Sequence, residues 1–537
     1  MLQPILAFSY LAIALGAQHQ HSGEARPAII LKGMGAHRRA IATANAGAQQ
    51  FFNQGLVMLY GFNREESVRS FHRAAELDPK SPMPWWGLAM ATGPHINMDG
   101  DGDVDRKVSC EAAAKAGSLA GAAPAHERAW AEAVRSRCRG GAANPDEEYR
   151  DAMRALWQRY PDDLDAGALY AESLLVLRRW RWWNRDGTPA DGVAEAVRVL
   201  EHVMRRNPDH PAANHYYIHA VEMSPSPERA LPSAYRLMGI VPGAGHLVHM
   251  PGHIHMLMGD WEMAADVNLR AAEVDEEYIK QVGPAAGPYQ MGYYPHNLDF
   301  VVYARMMQGR YDDALKAAEK IAGIVTPAID VMPDMAEFAL SKRLFVRVRF
   351  QRWDEILALP APDKRLFMSA ALRFWARGLA HAARGRRQEA LREQKWFLQA
   401  RRAVPEKWLW VNNQMHRILD VAGTVLEARL AERAEDSIAL WRKAVDLQDA
   451  LVYDEPPPWF HPIRESLGGA LLRAGRAAEA ERVFRADLEI NRRNGRSLFG
   501  LIESIVARNR KTEADWVRRE FNSAWSKAQV TLSADTL

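Results

Sequence analysis

The sequence predicts an all-α protein built from consecutive pairs of helices, and three observations support this prediction. From Ala48 onward, apolar residues recur at the spacing of amphipathic helices between short turns. The alternation of apolar and polar residues that is typical of half-buried strands is missing. Ala196, Ala230 and Ala264 occupy the same place in three helix patterns and lie 34 residues apart. A constant interval of this length indicates a repeated helix pair.

The first repeat carries the residues on which a family resemblance rests. Phe51, Gly55, Phe71, Ala74 and Pro79 place aromatic and small residues at set intervals before a helix-ending proline. This pattern resembles the tetratricopeptide repeat, and the resemblance extends over nearly all of the chain after residue 47. It implies a right-handed α-solenoid, a superhelix of about eight to eleven helix pairs, in which small residues allow paired helices to approach closely.

The N-terminal segment resembles a secretory signal peptide. An apolar run from Ile5 to Leu15 is followed by Gly16 and Ala17, and the run is too short to span a bilayer. A buried N-terminal helix is the alternative. With cleavage after Ala17, we expect a periplasmic or secreted protein without a membrane span. The predicted divisions are a signal peptide at 1–17, an N-terminal extension at 18–47, repeats at 48–210, a histidine-rich central part at 211–325 and further repeats at 326–537.

The two cysteines are compatible with export. Cys110 lies near the start of one predicted helix, and Cys138 lies at the end of the next. In an antiparallel pair these positions are neighbours, so we expect Cα atoms less than ~7 Å apart and a disulfide bond in an oxidising compartment. Two buried free thiols are the alternative. The tail from Asp454 to Asn494 resembles the C-terminal repeat of a group of exported bacterial tetratricopeptide proteins without a settled activity.

The charges of the chain nearly balance, and the net charge of +3 implies no nucleic-acid partner.

Three long loops interrupt the repeat. Asn97 to Arg106 alternates carboxylates and could hold calcium, but it lacks the closing glutamate of an EF-hand, so a solvated loop is the simpler interpretation. Arg178 to Gly192 is rich in tryptophan and arginine, and Glu277 to Pro295 contains four tyrosines, among them Tyr289, Tyr293 and Tyr294. Long loops on repeat proteins often cover the binding face.

The stretch from Asn214 to Tyr303 holds seven of the chain's 18 histidines. The pairs His215/His219 and His249/His253 have i,i+4 spacing, which places both imidazoles on one helix face. In the tetratricopeptide register, the second, fifth, ninth and twelfth positions of the first helix face a concave groove, whereas His255 occupies a packing position. The resemblance therefore implies that three neighbouring helices direct these residues into one groove: His215, His219 and Glu222; His246, His249 and His253; His296 and Asp299.

Converging imidazoles predict a metal site, because neutral imidazole nitrogens need partners and protonated ones would repel each other. The predicted ligands are His215, His219, His246, His249, His253 and His296. Imidazole suits copper, zinc and iron, and copper is predicted ahead of iron or zinc. Glu222 and Asp299 are the predicted catalytic residues, which would orient imidazoles or accept a substrate proton. Pro251, between His249 and His253, is expected to interrupt that helix.

The predicted function is a copper- or iron-dependent oxidoreductase that acts on a small organic substrate, such as an aromatic one, in the groove. The tryptophan and tyrosine loops would form the walls of the substrate site. The HExxH motif of common metalloproteases is absent. Two alternatives stay open. One is a non-catalytic scaffold that binds a peptide or protein partner in a water-filled groove, and the other is a copper-handling protein.

Overall fold

The computed structural model describes residues 28–97, 103–139, 144–283, 287, 289–330 and 333–537. The predicted signal peptide and residues 18–27 of the predicted extension lie outside the described residues. The same holds for 98–102, which form the middle of the stretch that was considered for calcium. Among the described residues, no helix combines the length and the apolar character that crossing a membrane requires.

The described residues are almost entirely helical, which confirms the all-α prediction. The helices up to residue 282 are α1 (Ala46–Tyr60), α2 (Arg64–Leu77), α3 (Met83–Thr92), α4 (Asp103–Leu119), α5 (Ala125–Arg135), α6 (Pro145–Arg159), α7 (Leu164–Val176), α8 (Val193–Arg206), α9 (Pro211–Glu222), α10 (Leu231–Ile240), α11 (Gly245–His249), α12 (Pro251–Leu257) and α13 (Trp261–Val282). Short 3-10 turns occur at Ala120–Ala122, Ser136–Cys138 and Pro227–Ala230, and a π-helical turn occurs at Tyr289–Tyr293.

The helices after that turn are α14 (Tyr294–Met307), α15 (Tyr311–Val325), α16 (Pro333–Arg349), α17 (Trp353–Ala358), α18 (Phe367–Ala383), α19 (Arg387–Arg401), α20 (Met415–Leu430), α21 (Ala434–Asp449), α22 (Ile463–Arg473), α23 (Ala477–Ile490), α24 (Gly495–Ala507) and α25 (Lys511–Ala524). A further 3-10 turn spans Thr326–Asp330. Two short strands, β1 (Leu409–Trp410) and β2 (Asn413–Gln414), pair antiparallel with Leu409 opposite Gln414.

The chain divides into two compact units. The first contains the residues up to Ile254 together with Leu269–Tyr294, and the second contains His255–Asn268 and Pro295–Leu537. In both units, most consecutive helices pack against each other, as expected for a repeat of helix pairs. The predicted repeat divisions at residues 210 and 325 concern sequence repeats and stay predictions.

Small residues allow close helix packing in both units, as the repeat pattern predicts. In the first unit, a Cβ atom on Gly55 of α1 would lie 2.8 Å from the ring of Phe71, and one on Gly87 of α3 would lie 2.5 Å from it. Both distances are too short for real atoms, so glycine is required on either side of this buried ring. In the second unit, Phe484 lies in the same way between Gly468 and Gly500. One aromatic ring therefore joins three successive helices in each unit.

The first unit also contains the predicted disulfide bond. Cys110 in α4 is bonded to Cys138 at the end of the Ser136–Cys138 turn, with Cα atoms 5.4 Å apart. The expected neighbouring positions in a helix pair are therefore confirmed, and the alternative of two free thiols is wrong. The bond links α4 to the end of the helical segment that follows it, which restricts the unfolded chain.

Candidate metal centre

Helix α9 carries three of the predicted site residues and buries all of them. His215, His219 and Glu222 have exposed fractions of 0%, 1% and 2%. The helix begins with Pro211, and its one-turn spacing brings the His215 and His219 ring centroids to 5.0 Å. The prediction that these residues face a water-filled groove is wrong. Substitutions here will therefore affect packing as well as any ligand.

Pro251 interrupts the second histidine pair, as the sequence predicts. Helix α11 ends at His249, and α12 begins at Pro251 because proline lacks the N–H that an uninterrupted helix needs. The break does not separate His249 from His253. Their ring centroids lie 4.7 Å apart at an angle of 77°, and their Nε2 atoms are separated by 2.7 Å. The two rings therefore lie close together in spite of the break.

The hydrogen bond of His215 fixes which of its nitrogens carries the proton. Its Nδ1 lies 2.6 Å from the backbone carbonyl oxygen of Tyr60, at the end of α1. A carbonyl oxygen can only accept, so Nδ1 must donate, and the Nε2 atom of a neutral ring then carries a lone pair. This Nε2 is buried and has no hydrogen-bond partner among the described residues. A buried basic nitrogen in this state is ready to bind a cation.

Glu222 fixes the protons of two further imidazoles. Its Oε1 accepts a hydrogen bond from Nδ1 of His219 at 2.9 Å, and its Oε2 accepts one from Nδ1 of His253 at 2.7 Å. Each ring therefore presents Nε2 as the basic atom. Nε2 of His219 has no hydrogen-bond partner in the described part of the chain, whereas Nε2 of His253 accepts from His249. Carboxylates that receive imidazole N–H groups in this way commonly orient the histidine ligands of metal ions.

His246 completes a compact group with the two histidines of α9. The nitrogens of His215, His219 and His246 that could bind an ion all lie within 4.8 Å of one another. The backbone N–H of His246 donates to the hydroxyl of Tyr289 at 3.2 Å, and this hydroxyl donates to Asp275 at 2.7 Å. A second group of the same size contains His219, Glu222 and His253. Five of the six predicted histidine ligands, together with Glu222, are therefore neighbours in the first unit.

Burial keeps two imidazoles of this cluster, those of His215 and His219, neutral. It lowers the pKa of His215 well below its ordinary value, with a further decrease from the neighbouring His219. It also lowers the pKa of His219 to about 3. At neutral pH these two rings therefore add no positive charge, and their Nε2 lone pairs are available. These two rings therefore have the chemistry of neutral nitrogen donors.

Aromatic side chains enclose the cluster. Phe62, which has a positive φ of 55°, places its ring 4.5 Å from His215 and 5.2 Å from His246. The ring of Tyr293 lies 4.9 Å from His246. Sequence reasoning missed Phe62, because an isolated phenylalanine between two helices carries no signal of a site.

The tryptophan-rich loop between α7 and α8 also covers the cluster, in line with the prediction for long loops. The ring of Trp182 is fully buried, 6.2 Å from His219, and Nε1 of Trp183 donates to the carbonyl of Ala220 at 2.7 Å. Both contacts are made with α9. The loop therefore contributes to the enclosure that keeps water away from the imidazoles.

Two predicted site residues, His296 and Asp299, lie on α14, and both belong to the second unit. The ring of His296 packs edge-on against Phe300 at 5.1 Å. Asp299 is buried and accepts a hydrogen bond from Nζ of Lys342 at 2.6 Å. Burial raises the pKa of Asp299, and the ammonium group of Lys342 opposes this shift. The roles predicted for His296 as a ligand and for Asp299 as a catalytic group stay predictions.

Comparisons with known proteins identify no family. No protein-family model matches the chain, and no curated protein sequence matches it. Solved structures that resemble it include the human IFIT1 dimer with m7Gppp-AAAA, at 12% identity and a TM-score of 0.30 over 91% of this chain and 92% of the other. The Cut9–Hcn1 hetero-tetramer of APC/C has 10% identity and a TM-score of 0.30 over 91% of this chain and 89% of the other. Yeast Tom70 has 13% identity and a TM-score of 0.32 over 90% of this chain and 99% of the other. Because the identities and TM-scores are low, we draw no conclusion about ligands or activity from them.

Proposed function

We propose that this chain is a helical-repeat metalloprotein whose first unit binds a transition-metal ion through His215, His219 and His246. One observation carries the proposal. The Nδ1 atoms of His215 and His219 donate to fixed acceptors, so their buried Nε2 atoms carry lone pairs that no described residue satisfies. Leaving such atoms without a partner costs free energy, and a metal ion would remove that cost.

His249, His253 and Glu222 extend the proposed centre. The Nε2 atoms of the two histidines lie 2.7 Å apart, slightly closer than two nitrogens bound to one ion at ~2.1 Å, which are about 3 Å apart. A small outward rotation of either ring would admit an ion. Glu222 would hold two of the rings in orientation through their Nδ1–H groups. His296 is proposed as an additional ligand on the basis of its repeat position alone.

Copper is proposed ahead of iron and zinc, and an oxidoreductase activity is proposed with it. Neutral imidazoles bind copper in both of its oxidation states, and bound copper would supply one-electron chemistry. Phe62, Trp182 and Tyr293 would exclude water from that chemistry and contact an organic substrate. Glu222 and Asp299 are proposed to orient imidazoles or to accept a substrate proton.

We also propose that the protein works outside the cytoplasm, in the periplasm or as a secreted protein. The disulfide bond between Cys110 and Cys138 supports this proposal, because such bonds persist mainly in oxidising compartments. The signal-like segment at 1–17 would direct export. Mass spectrometry of the protein purified from its native source would detect a new N-terminus at residue 18 if the segment is removed.

A partner-binding scaffold is the second candidate function. The observation in its favour is the architecture itself, because repeated helix pairs build extended surfaces on which partners bind. Large apolar side chains are also exposed in both units, for example Tyr235 at 58% and Trp516 at 66%. This candidate requires no metal, so metal content distinguishes it from the first.

The decisive experiment is elemental analysis of untagged protein after loading with copper, iron or zinc and removal of unbound metal. We expect metal binding in the wild type and one equivalent less of bound metal in His219→Ala. His202→Ala is the matched control, because His202 on the neighbouring helix α8 contacts Trp157 and not the cluster. Circular dichroism would verify that both variants stay helical. A wild type without bound metal would favour the scaffold.

Spectroscopy and oxygen consumption would then test the redox part of the proposal. A copper or iron centre is expected to absorb visible light or to give a paramagnetic resonance signal in at least one oxidation state. Loaded wild-type protein should consume oxygen with small phenolic or other aromatic reductants, and His219→Ala should not. A colourless protein with a single zinc ion and no oxidase activity after copper loading would contradict the oxidoreductase and leave a zinc site.

A further inference from the structure

A second group of metal-binding side chains lies in the first unit, in a cavity that the proposed centre does not use. The cavity has a volume of about 530 Å³, and its lining includes His37, His126, Asp163, Asp165 and His210. The histidines come from three separate segments: the chain before α1, the start of α5 and the residue that precedes α9. Sequence analysis did not single out any of them.

The carboxylate of Asp165 is the point at which two imidazoles meet. Its Oδ1 lies 2.9 Å from Nε2 of His37 and 3.2 Å from Nε2 of His210. The ligand atoms of the three residues all lie within 4.8 Å of one another. Two ligands bound side by side to one ion at ~2.1 Å are about 3.0–3.4 Å apart. The 3.2 Å spacing falls within this range, and the 2.9 Å hydrogen-bond distance of His37 lies just below it.

His210 supplies an independent sign that a ligand is missing. Its side chain is 1% exposed, and its Nε2 makes no contact with hydrogen-bond geometry to any described residue, despite the short distance to Asp165. The geometry between this nitrogen and the carboxylate oxygen therefore falls outside that of a hydrogen bond. A cation beside both atoms would satisfy this orientation, whereas a direct hydrogen bond does not.

The charges around the cavity also favour a cation. Asp162, Asp163 and Asp165 line the cavity together with Arg38 and Arg39. The Arg39 guanidinium is bound at both ends by Asp163, with distances of 2.7 and 2.9 Å, so those two charges cancel each other. Asp162 is likewise paired with Arg206 at 2.8 Å, so Asp165 is the carboxylate left beside the imidazoles, with a longer contact of 3.4 Å from Nη1 of Arg39. A carboxylate beside two imidazoles is a set of ligands that suits a divalent first-row metal ion.

We propose that His37, Asp165 and His210 bind a divalent first-row transition-metal cation, such as zinc or iron(II). Two histidines and one carboxylate on one side of an ion leave coordination positions open toward the cavity, where water or a small ligand can bind. Binding requires the proton of His210 to sit on Nδ1. The ring would then give up a long 3.3 Å contact from the backbone N–H of Ala213.

This proposal does not rest on the first centre. Among the described residues, Tyr60 contacts both sites: its carbonyl oxygen accepts from His215, and its hydroxyl donates to Asp165 at 2.7 Å. A metal at either site could therefore exist without a metal at the other. Variants that remove one site at a time can separate them.

The test is calorimetric titration of the full-length protein with zinc in the His219→Ala background, where the first centre is disabled. We expect one equivalent of zinc to remain and to disappear when His37→Ala is added. His37 is suitable because it is partly exposed and lies outside the helices. Cobalt(II) binding, followed by its visible absorption, should show the same loss. His126→Ala is the matched control, a histidine of the same cavity outside the group of three, and should retain the ion.

Three outcomes would overturn the proposal. The first is a His219→Ala protein that binds no zinc or cobalt. The second is a His219→Ala/His37→Ala protein that binds as much as its parent. The third is an equal loss caused by His126→Ala. If His37→Ala unfolds the protein, His37→Asn is substituted and judged by the same criteria. Wild-type protein that loses its only ion through His37→Ala but not through His219→Ala would support this site and reject the first centre.

Discussion

Each unit of this protein buries a polar centre, and the two centres satisfy their polar atoms in different ways. In the second unit, Glu465 of α22 accepts hydrogen bonds from both terminal nitrogens of Arg349 and from Nδ2 of Asn494. Nε of Arg496 lies 3.2 Å from the same carboxylate. In the first unit, Glu222 accepts the Nδ1–H groups of two histidines whose Nε2 atoms point elsewhere.

The pKa values of the two centres follow from this difference. Burial alone would raise the pKa of Glu465, but the guanidinium groups of Arg349 and Arg496 lower it to about 2. The carboxylate of Glu465 is paired with two guanidinium groups of the same unit, so this centre needs no bound ion. Burial lowers the pKa of His219 to about 3, so that ring stays neutral and presents a lone pair. A buried cluster that pairs its own charges indicates a structural role, and one with basic atoms left over indicates a bound cation.

The largest effect on stability is expected from Glu465→Gln. The amide would leave Arg349 and Arg496 buried without a negative partner, which should lower the free energy of unfolding by ~3–5 kcal/mol. Urea unfolding followed by circular dichroism would measure the change. Glu479→Gln is the control, because its ion pairs with Arg476 and Arg442 are more exposed and should contribute less than ~1 kcal/mol. Equal effects of the two changes would show that the buried network is not special.

The same residue should make the protein sensitive to acid. The pKa of Glu465 is lower in the folded chain, at about 2, than its ordinary value of 4.5. Its contribution to stability is therefore complete above pH 4.5 and is lost as the pH falls toward 2. That contribution is about 3 kcal/mol from the linkage between proton binding and folding. The stability difference between wild type and Glu465→Gln should shrink over this interval, and a constant difference from pH 6 to pH 3 would contradict the assignment.

Glu222→Gln tests the other side of the comparison, and we expect its main effect on metal binding rather than on folding. The amide keeps the shape of the side chain but cannot accept from both imidazoles, so the His219 and His253 rings lose part of their orientation. Metal affinity should fall by ~10–100-fold, as is usual when such outer partners are removed. Competition with a chelator would measure the change. Glu201→Gln, on the partly exposed carboxylate that binds Tyr217 and Arg229, should leave affinity unchanged. Undiminished affinity in Glu222→Gln would leave Glu222 with a structural role only.

The helices and the histidine pairs could be predicted because their signals are local. The i,i+4 spacing places His215 beside His219 in any helix. A proline inside a helical pattern, such as Pro251, interrupts the helix that precedes it. The neighbouring positions of Cys110 and Cys138 follow from an antiparallel pair in the same way. Repeat spacing then supplied the longer-range part of the prediction, since it related positions on successive helix pairs.

The remainder depended on contacts that leave no local signal. His215 is oriented by a backbone carbonyl at Tyr60, which lies 155 residues away, and any residue type has such a carbonyl. The burial of the cluster depends on Phe62 and on the loop containing Trp182, neither of which the repeat pattern specifies. The grouping of His37 with Asp165 joins segments 128 residues apart. For this reason the repeat pattern did not predict that the cluster is buried, and the metal-binding roles of its residues stay predictions.

The two aromatic rings that pack between glycines restrict how a chain of this kind can change over evolution. Phe71 lies 16 residues after Gly55 and 16 before Gly87, and Phe484 stands at the same intervals from Gly468 and Gly500. A duplication that copied a helix pair but not the following glycine would place the copied ring against a side chain. We therefore expect that segments can be exchanged between related chains at points where no ring is shared. The unit of such an exchange would be three successive helices rather than two.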